Sequence, residues 1–258
     1  MQNGDSAIEV RDLHKSFGSQ TVLDGIDMNV KGGEIVAVLG RSGTGKSVLL
    51  KLIIGLQKPD SGSILLRGQE ITQLRSDQLN SNRKKVGFLF QQAALYDSLT
   101  VEENVAFPIR RLDKGLSPAQ VREKVSQLLS QVGMEGELRK LPSQISGGMQ
   151  KRVGLARALA LDPEVLLCDE PTSGLDPITA AEINELIVKL QSERKMAAVV
   201  VTHDLIQARK IATRLALLYH GKFVFKGSFD ELSGSQHPFV VQFLQEGGGE
   251  SVCQELSA

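Results

Sequence analysis

A glycine-rich stretch between two apolar runs constrains the fold more than any other feature of the sequence. Residues 40–47 read Gly-Arg-Ser-Gly-Thr-Gly-Lys-Ser and fit the P-loop pattern G-x-x-x-x-G-K-[ST]. The apolar run at 34–39 predicts a buried parallel strand, and the run at 48–54 predicts the start of a helix. This order forms a phosphate-binding site, because the loop turns its N–H groups inward and the helix N-terminus adds partial positive charge. A chance match would lack the flanking strand and helix.

Each residue type in the loop has a physical reason to be there. Glycines let the backbone approach a phosphate group closely. Lys46 is expected to reach the β- and γ-phosphates of a nucleotide, and the Ser47 hydroxyl to ligate Mg²⁺. We therefore expect the whole loop to contact the nucleotide: Gly40, Arg41, Ser42, Gly43, Thr44, Gly45, Lys46 and Ser47.

Length and charge limit the class of protein. A chain of 258 residues is predicted to form one large domain, or one domain with a substantial insert. Its 30 basic and 30 acidic residues leave no excess of positive charge that would indicate a nucleic-acid partner. Cys168 and Cys253 lack metal-ligand spacing and indicate a reducing, intracellular setting. No run approaches the ~20 apolar residues that span a bilayer, so a membrane role is expected to need a partner.

The remaining pattern predicts an α/β fold with three parts. Residues 7–30 predict short strands of an antiparallel β flank. Residues 93–160 have helical character, with caps at Thr100 and Ser117, and predict a helical insert. Apolar runs predict further strands at residues 63–67, 86–90, 164–170, 197–202, 214–219 and 222–226, and the P-loop is expected to lie in a mixed sheet.

The chain is divided into a domain and a tail. The predicted domain covers residues 7–232, and residues 233–258 are interpreted as a partly disordered C-terminal tail. The tail is polar and glycine-rich apart from an apolar island at 238–244. Its end, residues 247–258, is expected to be mobile.

Two acids end an apolar strand on the side where the P-loop is expected to open. Unpaired carboxylates near a core are costly, so Asp169 and Glu170 need a reason to be there. Asp169 can hold Mg²⁺, and Glu170 can orient and deprotonate a water molecule beside the γ-phosphate. The pair is a weak signal alone and a strong one beside a P-loop.

A second anion-binding turn lies between these two motifs. Ser146, Gly147 and Gly148 open a helical run, and such a turn at a helix N-terminus can bind phosphate. One chain then has two phosphate-binding turns for one nucleotide. This arrangement makes sense if the second turn completes the site of another copy of the chain.

With these motifs in place, the chain resembles the ATPase subunit of ABC transporters over nearly all of residues 7–230. The resemblance implies ATP and Mg²⁺ as cofactors, ATP hydrolysis as the activity, and two partners: a second copy and a membrane permease. It also implies that Gln91 senses Mg²⁺ and water beside the permease contact, and that Phe17 stacks on adenine. Spacing alone would favour a core or edge aromatic at Phe17. Asp176 resembles the D-loop aspartate, and His203 resembles the switch histidine that contacts the γ-phosphate.

Finer features resemble the Mla/Mce-type lipid-transport ATPases of double-membraned bacteria. They are the P-loop run at 43–51, the stretch from 89–91 to 104–108, the run at 145–149 with Ile145 and Met149 around the Ser-Gly-Gly turn, and the late run at 242–244. The resemblance implies phospholipid transport, a location at the cytoplasmic face of the inner membrane through the permease, and an Mce-domain protein as a further partner. Two alternatives stay open: the same ATPase on a small-solute importer or drug exporter, and a soluble ABC ATPase with no transport role.

Overall fold

The protein contains ten strands and nine α-helices within residues 6–255, which the computed structural model describes, with side chains described for residues 6–246. The strands are β1 (Ser6–Phe17), β2 (Gln20–Lys31), β3 (Ile35–Leu39), β4 (Ser61–Leu66), β5 (Gln69–Glu70), β6 (Val86–Leu89), β7 (Val165–Asp169), β8 (Ala197–Thr202), β9 (Arg214–Tyr219) and β10 (Lys222–Gly227). The helices are α1 (Lys46–Ile53), α2 (Ser76–Arg83), α3 (Val101–Leu112), α4 (Pro118–Gln131), α5 (Gly147–Ala158), α6 (Pro177–Arg194), α7 (Leu205–Ile211), α8 (Phe229–Ser233) and α9 (Pro238–Glu255).

The larger sheet has six strands in the spatial order β10-β9-β3-β8-β7-β6. The strands from β9 to β6 pair in parallel, and β10 adds an antiparallel edge. All residues of β3, β7 and β8 are buried, as expected for strands that are covered on both faces. Parallel strands end at the same edge of a sheet, so the carboxyl ends of β3, β7 and β8 lie together and position the candidate site.

The smaller sheet is antiparallel, in the order β2-β1-β4-β5. Its apolar face packs with α1 and with one face of the larger sheet in a shared core. The prediction of short strands at 7–30 is wrong in length, because β1 and β2 each run for 12 residues. Register shifts between the two strands interrupt their alternation, and Asp12 has a positive φ of 43° within β1. These bulges hid the continuity of the strands from the sequence pattern.

The helical insert contains α3, α4 and α5. Both predicted caps are confirmed: the Thr100 side chain accepts from the Glu103 N–H, and the Ser117 side chain accepts from the Gln120 N–H. The apolar faces of α3, α4 and α5 share a core with the second face of the larger sheet. The predicted fold class is thereby confirmed: an α/β mixed sheet with an antiparallel β flank and a helical insert.

The apolar island of the predicted tail forms the first half of α9 and packs on the domain. Phe239, Val240, Phe243 and Leu244 are buried. The Phe239 ring stacks on Tyr219 of β9, with ring centres 3.7 Å apart. Mobility is predicted for residues 247–258. The side chains of these residues lie outside the described part of the chain, and so does the backbone of residues 256–258. No helix in the described part of the chain is long and apolar enough to cross a membrane.

Candidate functional site

A cleft of about 410 Å³ opens at the carboxyl edge of the larger sheet. The loop after β3 leads into α1, Glu170 follows β7, and His203 follows β8. The structure thus brings together residues that lie far apart in the chain. The cleft is lined by Phe17, Val22, Ser42, Gly43, Gly45, Lys46, Ser47, Val48, Gln91, Glu170 and His203.

Two glycines of the P-loop are required by close approach to neighbouring strands. A Cβ on Gly40 would lie 2.7 Å from the carbonyl oxygen of Leu218 in β9. Gly45 has a φ of 105°, and a Cβ there would lie 2.8 Å from a methyl group of Val22 in β2. Only glycine fits both places without displacing the backbone or its neighbours. The loop is therefore held between the two sheets.

Lys46 is a buried cation held inside the loop. Its Nζ donates to the carbonyl oxygens of Gly40 at 2.8 Å and Arg41 at 3.1 Å, and lies 3.5 Å from Glu170 Oε1. Burial lowers the pKa of Lys46, and the nearby Glu170 carboxylate opposes that shift. A phosphate anion in the cleft would stabilise the charged ammonium further.

Ser47 and Asp169 present two oxygens side by side. The Ser47 hydroxyl donates to Asp169 Oδ1 at 2.8 Å. Burial raises the pKa of Asp169, the Ser47 hydrogen bond opposes that shift, and the Glu170 charge adds to it. Mg²⁺ takes oxygen ligands and keeps few protein ligands when phosphates complete its shell, so this pair fits Mg²⁺. Within the described residues, no group of three or more His, Cys, Asp or Glu side chains could hold a metal alone.

Glu170 and His203 form a pair beside Lys46. His203 Nδ1 lies 3.0 Å from Glu170 Oε2, and Glu170 is buried whereas the His203 side chain is 57% exposed. Glu170 has a left-handed backbone, with φ of 46°, which costs about 1–3 kcal/mol for a residue other than glycine. Its N–H donates to the Val201 carbonyl at 2.9 Å, which fixes the turn. The carboxylate is therefore held in place at the cleft.

Phe17 and Gln91 also line the cleft. Phe17 is the last residue of β1 and is 46% exposed. Of the two alternatives, a core aromatic is therefore wrong, and an edge aromatic is not contradicted. Lys15 lies over this ring, 5.3 Å from its centre, and is anchored by Asp60 at 2.8 Å. Gln91 lines both this cleft and a second groove along the helical insert.

The residues of the second anion-binding turn lie elsewhere. Ser146 caps α5 and accepts from the Met149 N–H at 3.3 Å, and Gly147 lines the second groove, of about 740 Å³, with Leu175. Asp176 caps α6 by accepting from the N–H groups of Ile178 and Thr179. The structure therefore does not bring Ser146, Gly147, Gly148 or Asp176 into the P-loop cleft of their own chain.

The Arg41 side chain is directed away from the loop. Its guanidinium contacts the Glu246 carboxylate of α9 at 2.6 Å and lies 5.5 Å from the centre of the Phe239 ring. The carbonyl of Arg41 accepts from Thr44 Oγ1 at 2.9 Å as well as from Lys46. Arg41 therefore shapes the loop through its main chain, while its side chain joins the loop to α9.

Sequence reasoning missed Lys151 of α5. This lysine is 5% exposed, and its Nζ donates to the carbonyl oxygens of Gln91 and Glu170. Lys151 follows the buried Gly148 by one helical turn and precedes the buried Leu155 by another, so it lies on the buried side of α5. A lysine on the apolar side of a helix is the signal that could have identified it.

Comparison with known proteins agrees with this arrangement. The family model described as "ABC transporter" matches residues 23–173. The chain is 42% identical over 238 residues to the probable ribonucleotide transport ATP-binding protein mkl of Mycobacterium leprae (strain TN), covering 92% of this chain and 68% of that protein. It is 44% identical over 257 residues to the chloroplastic protein trigalactosyldiacylglycerol 3 of Arabidopsis thaliana, covering 93% and 74% respectively.

Two solved structures share the fold. The dimeric ATP-binding cassette MJ0796, in a post-hydrolysis state bound to ADP and Pi, is 35% identical with a TM-score of 0.79, and covers 86% of this chain and 98% of its own. The cbiO1 protein of Clostridium perfringens, part of the ABC transporter complex cbiONQ, is 28% identical with a TM-score of 0.82, and covers 98% of this chain and all of its own. Motifs, fold and these relatives agree, and the chain belongs to the ABC transporter ATP-binding family as an ATPase subunit.

Proposed function

We propose that the P-loop cleft hydrolyses Mg²⁺-ATP between two copies of this chain, and that the energy drives lipid transport through a membrane permease. The observation that carries the catalytic part is the fixed Glu170 carboxylate between Lys46 and His203, at the edge of the P-loop cleft. We assign the protein to the cytoplasmic face of a bacterial inner membrane, where the permease would hold it.

Each residue of the cleft has a distinct role in this proposal. Lys46 binds the β- and γ-phosphates, and Ser47 and Asp169 hold Mg²⁺, which supplies charge neutralisation when bound. Glu170 accepts the proton of the attacking water, since its carboxylate is held in place at the edge of the cleft. His203 hydrogen-bonds to this carboxylate and contacts the γ-phosphate. Gln91 orients water and the metal, and the exposed ring of Phe17 stacks on adenine.

A second copy supplies the remaining phosphate contacts. The N-terminus of α5 presents the Ser146 hydroxyl and the backbone of Gly147 and Gly148 outside the P-loop cleft of its own chain. Asp176 opens the neighbouring helix α6. The solved MJ0796 cassette is dimeric, which supports a dimer for this chain. In a head-to-tail pair, each P-loop would face the Ser146–Gly148 turn of the other chain.

The permease is proposed to dock on the helical insert beside Gln91. Tyr96 and Phe107 form an exposed ring pair there, 47% and 41% exposed, with ring centres 4.8 Å apart. Leu95 lies next to them and lines the second groove. Large apolar side chains that are exposed together are typical of an interface. The name of cbiO1, as part of a transporter complex, supports a permease partner.

Relatives give two different indications of the substrate. One relative is named after trigalactosyldiacylglycerol, which is a lipid. The mkl relative is named for ribonucleotide transport, and this favours a small-solute transporter as the second candidate. We prefer lipid because the chain also resembles the Mla/Mce-type ATPases around Ile145 and Met149. An Mce-domain protein is then a further proposed partner, and nucleic acid is not.

Reconstitution tests the proposal. The full chain is co-purified with its permease in mild detergent, bound lipids are identified, and the complex is placed in vesicles with labelled phospholipid or labelled ribonucleotide. ATP-dependent movement of phospholipid, lost with Glu170→Gln, supports the lipid proposal. Movement of the ribonucleotide alone would establish the second candidate. A fully active chain that co-purifies with no membrane protein would refute the transport role.

A further inference from the structure

A buried lysine outside the ATP cleft joins two residues of the candidate site. Lys151 Nζ donates to the Glu170 carbonyl at 3.1 Å and to the carbonyl of Gln91. Its side chain does not line the P-loop cleft and makes no hydrogen bond to the P-loop. Neither the strand-end acids that identified Glu170 nor the resemblance that identified Gln91 gave Lys151 a role. Its position therefore needs an explanation of its own.

Stability alone does not explain a charge at this place. Moving an ammonium group out of water is costly, and burial lowers the pKa of Lys151, although the charges of Asp169 and Glu170 partly oppose that shift. A neutral side chain of similar length would fill the same space on α5 without that cost. The cation is matched by two main-chain carbonyls, which use two of its three N–H donors. The ammonium therefore fixes the distance between those two carbonyls.

The Glu170 main chain is the first of the two groups that Lys151 holds. Glu170 has the left-handed backbone described above, and two side chains donate to its carbonyl: Ser173 Oγ at 3.0 Å and Lys151 Nζ at 3.1 Å. Ser173 belongs to the same turn as Glu170, so it stabilises that turn locally. Lys151 comes from α5, so it fixes Glu170 relative to the helical insert.

The Gln91 segment is the second group, and a neighbouring arginine offers a comparison. Arg157, six residues further along α5, donates to the carbonyls of Ala93 at 2.6 Å and Ala94 at 2.7 Å. Two cations of α5 therefore hold the segment after β6. Of these two, Lys151 also reaches Glu170, whereas Arg157 does not.

We propose that Lys151 is a positioning residue for ATP hydrolysis. Its ammonium sets the separation between the Gln91 and Glu170 main chains, and thereby between the group that orients water and the group that takes its proton. Because α5 begins with the Ser146–Gly148 turn, Lys151 also transmits any movement of that turn to both residues. This inference rests on the proposed role of Glu170 as the base.

The test compares Lys151→Met with Lys151→Arg in the full-length chain. Methionine keeps the length and removes the donors, and arginine keeps a cation. We expect Lys151→Met to lower kcat for ATP about 10–100-fold, because small misplacements of catalytic groups have effects of that size, with KM within about twofold. Lys151→Arg is expected to restore most of kcat. Arg152→Gln is the matched control, since Arg152 is the next residue of α5 and contacts Val132 and Glu182 instead.

A double variant that combines Lys151→Met with Glu170→Gln distinguishes a positioning role of Lys151 from a general loss of structure. If Lys151 acts through Glu170, Lys151→Met adds little to the loss already caused by Glu170→Gln. Losses that multiply, or a parental kcat in Lys151→Met, would overturn the inference while leaving Glu170 as the base. Parental hydrolysis in Glu170→Gln would overturn the base assignment and this inference with it. If Lys151→Met does not fold by circular dichroism, Lys151→Leu, which also lacks a donor, carries the same test.

Discussion

The P-loop and the Ser146–Gly148 turn are both glycine-rich turns at helix N-termini, yet their surroundings differ. Near the P-loop, Lys46, Asp169 and Glu170 are buried and charged, within hydrogen-bonding or ion-pair distance of loop residues. At the Ser146–Gly148 turn, the Ser146 side chain caps its own helix, and a Cβ on Gly148 would lie 2.4 Å from Thr179. The P-loop therefore lies beside the charged groups that catalysis needs. Within the described part of the chain, the Ser146–Gly148 turn has no such groups, and its helix end is already capped by Ser146.

This difference indicates that the two turns have different functions in nucleotide binding. Burial disfavours the charged forms of both Lys46 and Asp169, so the P-loop region carries a cost in stability that ATP and Mg²⁺ would relieve. The Ser146–Gly148 turn carries no such cost within its own chain. It is suited to binding the phosphates of a nucleotide that another chain already holds.

The largest expected effect lies on the P-loop side. Glu170→Gln should lower hydrolysis by about 10²–10⁴-fold, because the amide cannot take a proton from water, and should leave ATP binding intact. Single-turnover hydrolysis and equilibrium binding of a fluorescent ATP analogue measure the two quantities. Glu185→Gln is the control, since Glu185 is an exposed carboxylate on α6. Unchanged turnover in Glu170→Gln would remove Glu170 from the mechanism.

The second prediction contrasts the two turns directly. Lys46→Ala should weaken ATP binding to the isolated chain about 10–100-fold, the range for a lost charge-assisted hydrogen bond. Ser146→Ala should leave that binding nearly unchanged and lower hydrolysis, because its phosphate contact is made in the partner's site. Titration calorimetry at concentrations that keep the chains apart measures the binding. Equal losses of affinity in both variants would abolish the proposed division between the turns.

The third prediction tests whether the two turns meet in trans. Ser42→Cys and Ser146→Cys are introduced together into Glu170→Gln, with Cys253 replaced by Ser, and a short bifunctional thiol reagent is added. We expect an interchain band that needs Mg²⁺-ATP and is weak with either cysteine alone. Cys168 can stay, because it is buried and burial raises its pKa to about 12, which leaves it unreactive at neutral pH. Links only within one chain, or links indifferent to ATP, would contradict the shared site.

How much of this arrangement the sequence predicts depends on how local each feature is. The P-loop, the acids at the end of β7 and the caps of α3 and α4 are recognised from short patterns, because the residues that define each motif lie within a few positions of one another. The contact between Lys151 and Gln91 joins residues 60 positions apart, and that between Arg41 and Glu246 joins residues 205 apart. No periodicity in the sequence encodes such pairs. The same applies to α9, whose apolar island was visible although its stacking on Tyr219 was not.

The smallest expected effect concerns stability, and it compares two acids of the site. Burial raises the pKa of Asp169, so its charge at neutral pH opposes folding. Asp169→Asn keeps an oxygen that can accept from Ser47 and removes that charge. We therefore expect the variant without nucleotide to melt up to ~2–4 °C higher at neutral pH, which corresponds to about 1 kcal/mol in a chain of this size, while hydrolysis is lost with the Mg²⁺ ligand. Thermal melts followed by circular dichroism measure the shift.

The shift in melting temperature should depend on pH, and the corresponding shift for an Asp176 variant should have the opposite sign. As pH falls through the raised pKa of Asp169 towards 3.8, the carboxyl of the folded protein takes up a proton and the advantage of Asp169→Asn disappears. Asp176 is exposed, and its hydrogen bonds from Thr179 and Ile178 lower its pKa. Its charge therefore stabilises the folded state above pH 3.8, and this contribution is lost as pH falls through the lowered pKa. Asp176→Asn should accordingly melt slightly lower than the parent at neutral pH. If both variants shifted in the same direction, the contrast between a buried acid held for chemistry and an exposed acid that caps a helix would fail.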